Sequence, residues 1–270
     1  MLKIDILEPS LKIALQAVQE AGDMIGSNFQ NLQDSDIQAK GKNDFVTRVD
    51  REAEAIIKRI ILNEFPHHQV LGEEGGYTQR KSKTLWVIDP LDGTTNFIQG
   101  IPHFAISMAL MINGKVVLGL IYDPLSEERF HAIKGQGAFL NNRRIAVSRK
   151  KTLRSALGAT GFPFKAPQFS EAYASTFRNL LLRCQDMRRC GSAALDLAYT
   201  ACGRYDFFWE AHLLPWDFMA GKLIIDEAGG RSSDFQGKEL KVQTSSVLVA
   251  NQSLYSKILK ILASHFKQVS

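Results

Sequence analysis

Cysteine is scarce in this 270-residue chain: there are three, Cys184, Cys190 and Cys202, with no Cys-x-x-Cys pair. An odd, unpatterned set argues against a disulfide framework and reads as the reduced thiols of a cytoplasmic protein. Long apolar runs are also missing. No window approaches the ~18 apolar residues of a membrane-spanning helix. The opening segment MLKIDILEPSLK carries acids and a proline where a signal peptide has its apolar run, so secretion and membrane insertion are not expected. Neither sign of charge dominates: 33 basic against 28 acidic residues leave +5. Helix-turn-helix, zinc-finger and RNA-recognition signatures are absent, as are internal repeats, low-complexity tracts and an obvious linker. With 45% hydrophobic and 23% charged residues, the composition is that of a globular protein able to bury a core without staples. Residues 1–270 read as one domain with two lobes, about 1–150 and 151–270.

Apolar positions at helical spacing (Leu11, Ala14, Leu15, Val18, Ala21, Ile25, Phe29) predict a helix over 10–30 with Ser10 as its N-cap. Ala53, Ile56, Ile57, Ile60 and Ile61 predict a second over 45–65. Leu85–Ile88 suits a buried strand. Residues 104–112 and 115–122 flank Asn113-Gly114, a hairpin signal, and 128–133 reads as the next antiparallel strand. Strands near 156–160, 187–188, 205–209 and 246–249 then alternate with helices near 168–184, 192–202, 215–228 and 252–265. Helices, a meander and then alternating elements imply layered α+β structure.

The chemistry concentrates in Trp86-Val87-Ile88-Asp89-Pro90-Leu91-Asp92-Gly93-Thr94-Thr95-Asn96-Phe97. A buried strand is expected to end at Asp89, because Pro90 cannot continue the ladder. Gly93 permits a positive φ or a close approach, and Thr94 and Thr95 can open a helix whose free N–H groups attract phosphate. The same acids also suit an ordinary capping turn. Further acids stand at element tips: Glu73 and Glu74 in Gly72–Gly76, Asp217 after Pro215-Trp216, and Asp44 and Asp50 around Phe45-Val46-Thr47. Asp217 is equally a helix N-terminal acid. If these groups converge, their charge requires protons or cations, and an all-oxygen set favours Mg²⁺ over Zn²⁺.

WVIDPLDGTTNF (86–97), with GEE (72–74) upstream and PWDFMAG (215–221) downstream, resembles the inositol monophosphatase family. DFVTRVD (44–50), GSAALDLAY (191–199) and DEAGG (226–230) extend the resemblance over about residues 10–265. The run RRCGSAALDLAYTACGRYDFFWE is similar to bacterial inositol-1-monophosphatases. The resemblance implies an αβαβα sandwich of the inositol monophosphatase and fructose-1,6-bisphosphatase-like sugar phosphatase type, a homodimer, and Mg²⁺ at the tips of its elements. It places a first metal on Glu73, Asp89, the Leu91 carbonyl and Thr94, and a second on Asp89, Asp92 and Asp217. A third, looser metal falls near Glu73, and Asp50 supports Thr94.

Glu73, Thr94 and Asp50 are thereby the implied catalytic residues. The phosphate end of a substrate meets Leu91, Asp92, Gly93, Thr94 and Asp217. The polyol end meets Glu210, the Gly191-Ser192-Ala193 turn and Arg188, an arginine that also suits a dimer interface. Many relatives carry glycine after the glutamate where this chain has Ala211 and His212. A histidine there reads as structural or solvent-facing, and His67-His68 as a surface turn.

The implied activity is Mg²⁺-dependent, Li⁺-sensitive hydrolysis of myo-inositol monophosphate and similar polyol phosphates. Fructose-1,6-bisphosphatase and 3′-phosphoadenosine phosphatase activities are the alternatives, and the short loop 75–84 favours small substrates. A reading of another class is a bacterial antitermination factor that binds RNA or the transcription machinery. The basic groups at Arg143, Arg144, Arg149, Lys150, Lys151 and Arg154 and at Arg183, Arg188 and Arg189 suit it, and equally suit a solvated surface.

Overall fold

In the computed structural model, which describes residues 6–41, 44–79 and 81–266, alternating side chains on two sheets sort the apolar residues into three cores. The first five residues, on which the reading of the opening segment partly rests, lie outside the described residues, as does the side chain of Asp44. The first sheet contains β3 (Gln69–Gly72), β4 (Gly76–Tyr77), β5 (Thr84–Asp92), β6 (Ala105–Ile112), β7 (Lys115–Asp123), β8 (Glu128–Ile133), β9 (Gly137–Leu140) and β10 (Arg143–Ile145). It runs as a meander from β10 to β5, followed by β3, parallel to β5, and β4. Trp86 and Ile88 of β5 and Ile106, Met108 and Leu110 of β6 face helices α1 (Leu7–Asn28) and α2 (Arg48–Glu64). Val87 and Ala109, which lie between them, and Ala105 at the start of β6 face the opposite way, onto α5 (Ala193–Ala201) and α6 (Pro215–Glu227).

The second sheet repeats the logic. It contains β11 (Leu157–Thr160), β12 (Asp186–Arg188), β13 (Phe207–Ala211), β14 (Arg231–Ser233) and β15 (Ser246–Ala250), in the order β12-β11-β13-β15-β14. Phe208, Val247 and Val249 share the α5/α6 core. Phe207, Trp209, Leu248 and Ala250 face α4 (Ser170–Leu181) and α7 (Gln252–His265) on the far side. The period-two side-chain alternation of a strand thus generates five layers, αβαβα. Each large apolar side chain so buried contributes roughly 1.5–3 kcal/mol. Helix α6 lies close on the first sheet because β7 has Gly119 beneath it; a Cβ there would sit 2.5 Å from the Ala220 carbonyl oxygen.

Several sequence expectations are corrected. Helix α1 starts at Leu7, so Ser10 is buried inside it and is not its N-cap; the buried Leu7 extends the apolar stripe by a turn. Residues 45–47 are not helical. They belong to β2 (Asp44–Thr47), which pairs antiparallel with β1 (Ile37–Gly41). Thr47 ends that strand and caps α2: its Oγ1 accepts from Val49 N at 3.1 Å, and Asp50 Oδ2 accepts from Thr47 N at 2.8 Å. β5 continues past Asp89 to Asp92, and a five-residue helix α3 (Thr94–Ile98) follows. His68 is buried, not on a surface turn; its Nδ1 accepts from Trp86 Nε1 at 3.1 Å and its ring stacks on Phe65. Among the described residues, no helix is long and apolar enough to cross a membrane.

Candidate active site

A bulge in β5 decides where the acids point. Asp89 pairs with Ser107 and Asp92 with Ala105, so three steps along β5 match two along β6. Residues three apart on a regular strand face opposite sides; the extra residue at Pro90-Leu91 turns Asp92 to the same side as Asp89. That side faces α6, whose start is tied to β6 by the Ser107 hydroxyl donating to the Trp216 carbonyl at 2.9 Å. Asp217, in the first turn of α6, therefore meets the strand acids. Carboxylate oxygens of Asp89, Asp92 and Asp217 all lie within 4.8 Å of one another.

The neighbouring turns are held by hydrogen bonds. Glu54 of α2 accepts from Glu74 N and Gly75 N, each at 2.9 Å, which fixes the turn bearing Glu73. Lys40 of β1 donates to Glu73 at 3.1 Å and also ion-pairs with Glu74. The Thr94 hydroxyl lies 2.9 Å from Asp50 Oδ1 and 3.1 Å from the Leu91 carbonyl. Gly93, φ +101°, makes the corner between β5 and α3, where any Cβ would press on the His103 carbonyl at 3.0 Å. Asp92 Oδ2 accepts from the Ser192 hydroxyl at 2.5 Å and from Ala194 N at 2.7 Å, so the start of α5 is fastened to the acidic cluster.

These groups open on a cavity of about 420 Å³ whose lining includes Glu73, Gly93, Gly191–Ala193 and Glu210. Arg188 is not among its lining residues. Met187 is the buried residue of β12, which turns Arg188 outward onto Asp186 at 2.5 Å; Arg189, past the strand end, lines the cavity instead. Its guanidinium stacks over Phe162 at 4.9 Å. Asp196, Phe162 and Phe164 also line it and escaped the sequence reading. Their signals were available: an acid inside the apolar helix Ala193–Ala201, and aromatics just past the end of β11. His212 sits exposed at the rim with φ +68°.

Burial raises the proton affinity of this cluster. Asp89 and Asp217 are held well above the ordinary carboxylate range by burial, and further by Glu73 in the first case and Asp92 in the second. Burial pushes Asp92 up to about 6, against the hydrogen bonds from Ser192 and Ala194. Glu210 is pushed up to about 8 by burial and by Asp92, with Arg189 opposing. Asp50 is raised by burial in spite of its bonds to Thr47 and Thr94. Converging buried carboxylate oxygens fit a hard divalent cation, which can hold all three acids ionised.

The sequence profile of the inositol monophosphatase family matches residues 6–268. The chain belongs to the inositol monophosphatase family. It is 44% identical over 254 residues to the Nus factor SuhB of Escherichia coli K12, covering 94% of this chain and 95% of that protein. The solved inositol monophosphatase of Anabaena (Nostoc) sp. PCC 7120 superposes with a TM-score of 0.86 at 37% identity, over 96% of each chain. SaIMPase-II, solved with inositol monophosphate bound, superposes with a TM-score of 0.81 at 32% identity, again over 96% of each chain. The αβαβα layering is therefore the family's fold. Its enzymes are generally metal-dependent, in keeping with the acidic cluster on β5 and α6.

Proposed function

We propose that the chain is an Mg²⁺-dependent phosphatase of small polyol phosphates, with inositol monophosphate as the first substrate to test. The convergence of Asp89, Asp92 and Asp217 within 4.8 Å beside the Gly93-Thr94 corner carries this reading. Glu73, Asp89, the Leu91 carbonyl and Thr94 would hold one Mg²⁺, and Asp89, Asp92 and Asp217 another. Mg²⁺ bound there supplies neutralisation of the phosphate dianion and a lowered pKa for the attacking water.

The chain's own groups do the rest. Thr94 donates to Asp50 Oδ1 and keeps lone pairs for a water, so a proton taken at Thr94 Oγ1 can pass to Asp50. Glu73 orients the same water from the opposite turn. Gly93 and Thr94 N–H groups at the start of α3 receive the phosphoryl oxygens, which carry growing charge as the bond to the leaving oxygen breaks. Glu210 and the Gly191-Ser192-Ala193 turn receive the ring hydroxyls, and Arg189, rather than Arg188, stands beside them at the cavity wall.

The test is phosphate release from inositol monophosphate, glycerol 2-phosphate, fructose 1,6-bisphosphate and 3′-phosphoadenosine phosphate, with Mg²⁺ and with chelator. Mg²⁺-dependent turnover of the polyol phosphates, lost in Asp217→Asn at ordinary Mg²⁺, is expected. A chelator-insensitive rate, or release from the nucleotide alone, would overturn the reading. Li⁺ is expected to inhibit uncompetitively, and light scattering to give the mass of a dimer.

The 44% identity to a Nus factor favours a second role, attachment to the transcription machinery. Arg143 and Arg144 are exposed on β10, an edge strand of the first sheet and a natural site for such contacts. Pulldown from a bacterial lysate with wild type and Asp89→Asn tests it: equal capture of polymerase-associated proteins supports a role separate from catalysis, and no such capture removes it.

A further inference from the structure

Behind the Gly191 turn, a second set of donors converges that the proposed phosphatase chemistry does not use. His103, from the segment joining α3 to β6, Cys190, after β12, and Asp196, in α5, bring a ring nitrogen, a sulfur and a carboxylate oxygen within 4.8 Å of one another. Two of the three residues have donor atoms without a partner. His103 Nε2 and Asp196 Oδ1 are shielded from solvent and have no hydrogen bond, and Asp196 as a whole is 1% exposed. Cys190 Sγ reaches only the Tyr205 hydroxyl, at 3.5 Å, among the described residues. Native proteins rarely leave buried polar atoms unsatisfied, and two in one cluster call for a ligand.

The scaffold around them is rigid. The Asn96 amide donates both to the His103 carbonyl at 2.8 Å and to the Cys190 carbonyl at 2.9 Å, so one side chain sets the spacing of the two segments. Asp196 is fixed by the cap of α5, where its N–H bonds the Ser192 carbonyl at 3.0 Å.

We propose that His103, Cys190 and Asp196 form a binding site for a thiophilic divalent cation of the Zn²⁺ class, separate from the acidic cluster on β5 and α6. One imidazole, one thiolate and one carboxylate are a three-residue zinc donor set, with a fourth position left for water or the Tyr205 oxygen. Donors about 2.0–2.3 Å from a tetrahedral ion stand roughly 3.3–3.7 Å apart, so groups now within 4.8 Å of one another draw together by up to about 1 Å on binding. Binding replaces the thiol proton of Cys190, which leaves to solvent, and forms the metal–sulfur bond with no change of oxidation state. The hard, all-oxygen cluster prefers Mg²⁺, so the sulfur sorts the two cations between two donor sets at the start of α5: Ser192 and Ala194 hold Asp92, while Asp196, which also lines the cavity, joins His103 and Cys190.

Co²⁺ titration of the full chain in millimolar Mg²⁺ tests this without reference to turnover. A thiolate-to-Co²⁺ charge-transfer band saturating at one equivalent, displaced by Zn²⁺, is expected. It should persist in Asp89→Asn and in the Cys184→Ser/Cys202→Ser double variant, and vanish in Cys190→Ser. His103→Gln should weaken Zn²⁺ binding at least tenfold. On the wild type alone, one equivalent of Zn²⁺ should protect Cys190, read by peptide mapping, from alkylation by at least tenfold; this arm stands even if Cys190→Ser misfolds. No charge-transfer band, a band that survives in folded Cys190→Ser, or unchanged Cys190 alkylation would overturn the proposal. Loss of the band in Asp89→Asn would do the same, because the ion would then belong to the acidic cluster.

Discussion

Asp89→Asn should make the cation-free protein more stable while abolishing turnover. Asp89 is 2% exposed, with the oxygens of Asp92 and Asp217 within 4.8 Å. At an effective dielectric of about 20, two unit charges that far apart repel by about 3–4 kcal/mol. Protonation caps the cost: from its ordinary value of 3.8, an aspartate can take up a proton at pH 7 for about 4 kcal/mol. Asparagine removes the charge and keeps an oxygen to accept from Leu91 N, a bond Asp89 Oδ1 makes at 3.0 Å. The expected gain in chelator is about 2–4 kcal/mol, or roughly 5–10 °C in Tm for a chain of this size. Scanning calorimetry at pH 7 in EDTA, repeated in millimolar Mg²⁺, measures it. Wild type should gain stability from Mg²⁺ by linkage, and the variant should gain little. An Asn variant less stable than wild type in EDTA, or one that gains equally from Mg²⁺, would refute the argument.

Thr94→Val removes the hydroxyl that bonds Asp50 Oδ1 and leaves that buried carboxylate short of a donor; a loss of about 1–3 kcal/mol in denaturant unfolding and of about 100-fold or more in kcat is expected. Arg189→Ala should raise KM for an anionic substrate roughly tenfold, whereas Arg188→Ala, whose side chain points to Asp186, should leave KM within about twofold; equal effects would refute the assignment. Stability in chelator should depend on pH through Asp92 and Glu210, whose folded-state values are raised to about 6 and about 8. Raised acids favour the folded state fully below the ordinary carboxylate range, and that contribution is lost as pH rises through the folded values. Glu210→Gln should remove the upper part of the fall in Tm, and a wild-type Tm that climbs between those values would contradict the burial argument. Gly119→Ala should cost about 1–3 kcal/mol by thermal melting, because its Cβ would lie 2.5 Å from the Ala220 carbonyl oxygen under α6.

Local pattern determined much of this protein by itself. The strand at Leu85–Ile88, the Asn113-Gly114 hairpin and the helices near 192–202, 215–228 and 252–265 were legible, because apolar period and turn chemistry are properties of a few adjacent residues. The DPLDGTTNF block, read locally, suited a capping turn as well as a phosphate site; its resemblance to the inositol monophosphatase family, to which the chain belongs, decided between them. The tertiary structure decided what no window contains. The helical pattern at 45–65 could not show that Phe45-Val46-Thr47 pairs with Ile37–Gly41, since the partner strand lies outside the window. Pro90 read as the end of a strand, yet pairing to β6 carries the chain through a bulge, and that bulge puts Asp89 and Asp92 on one face. Arg188 and Arg189 are indistinguishable as letters; the buried Met187 sets the phase of β12 and so turns only the second toward the cavity. His68 looked like a turn residue until Trp86, 18 positions away, supplied its hydrogen bond. The meeting of His103, Cys190 and Asp196 depends likewise on Asn96 bridging two segments almost ninety residues apart in sequence, a distance that only the folded chain closes.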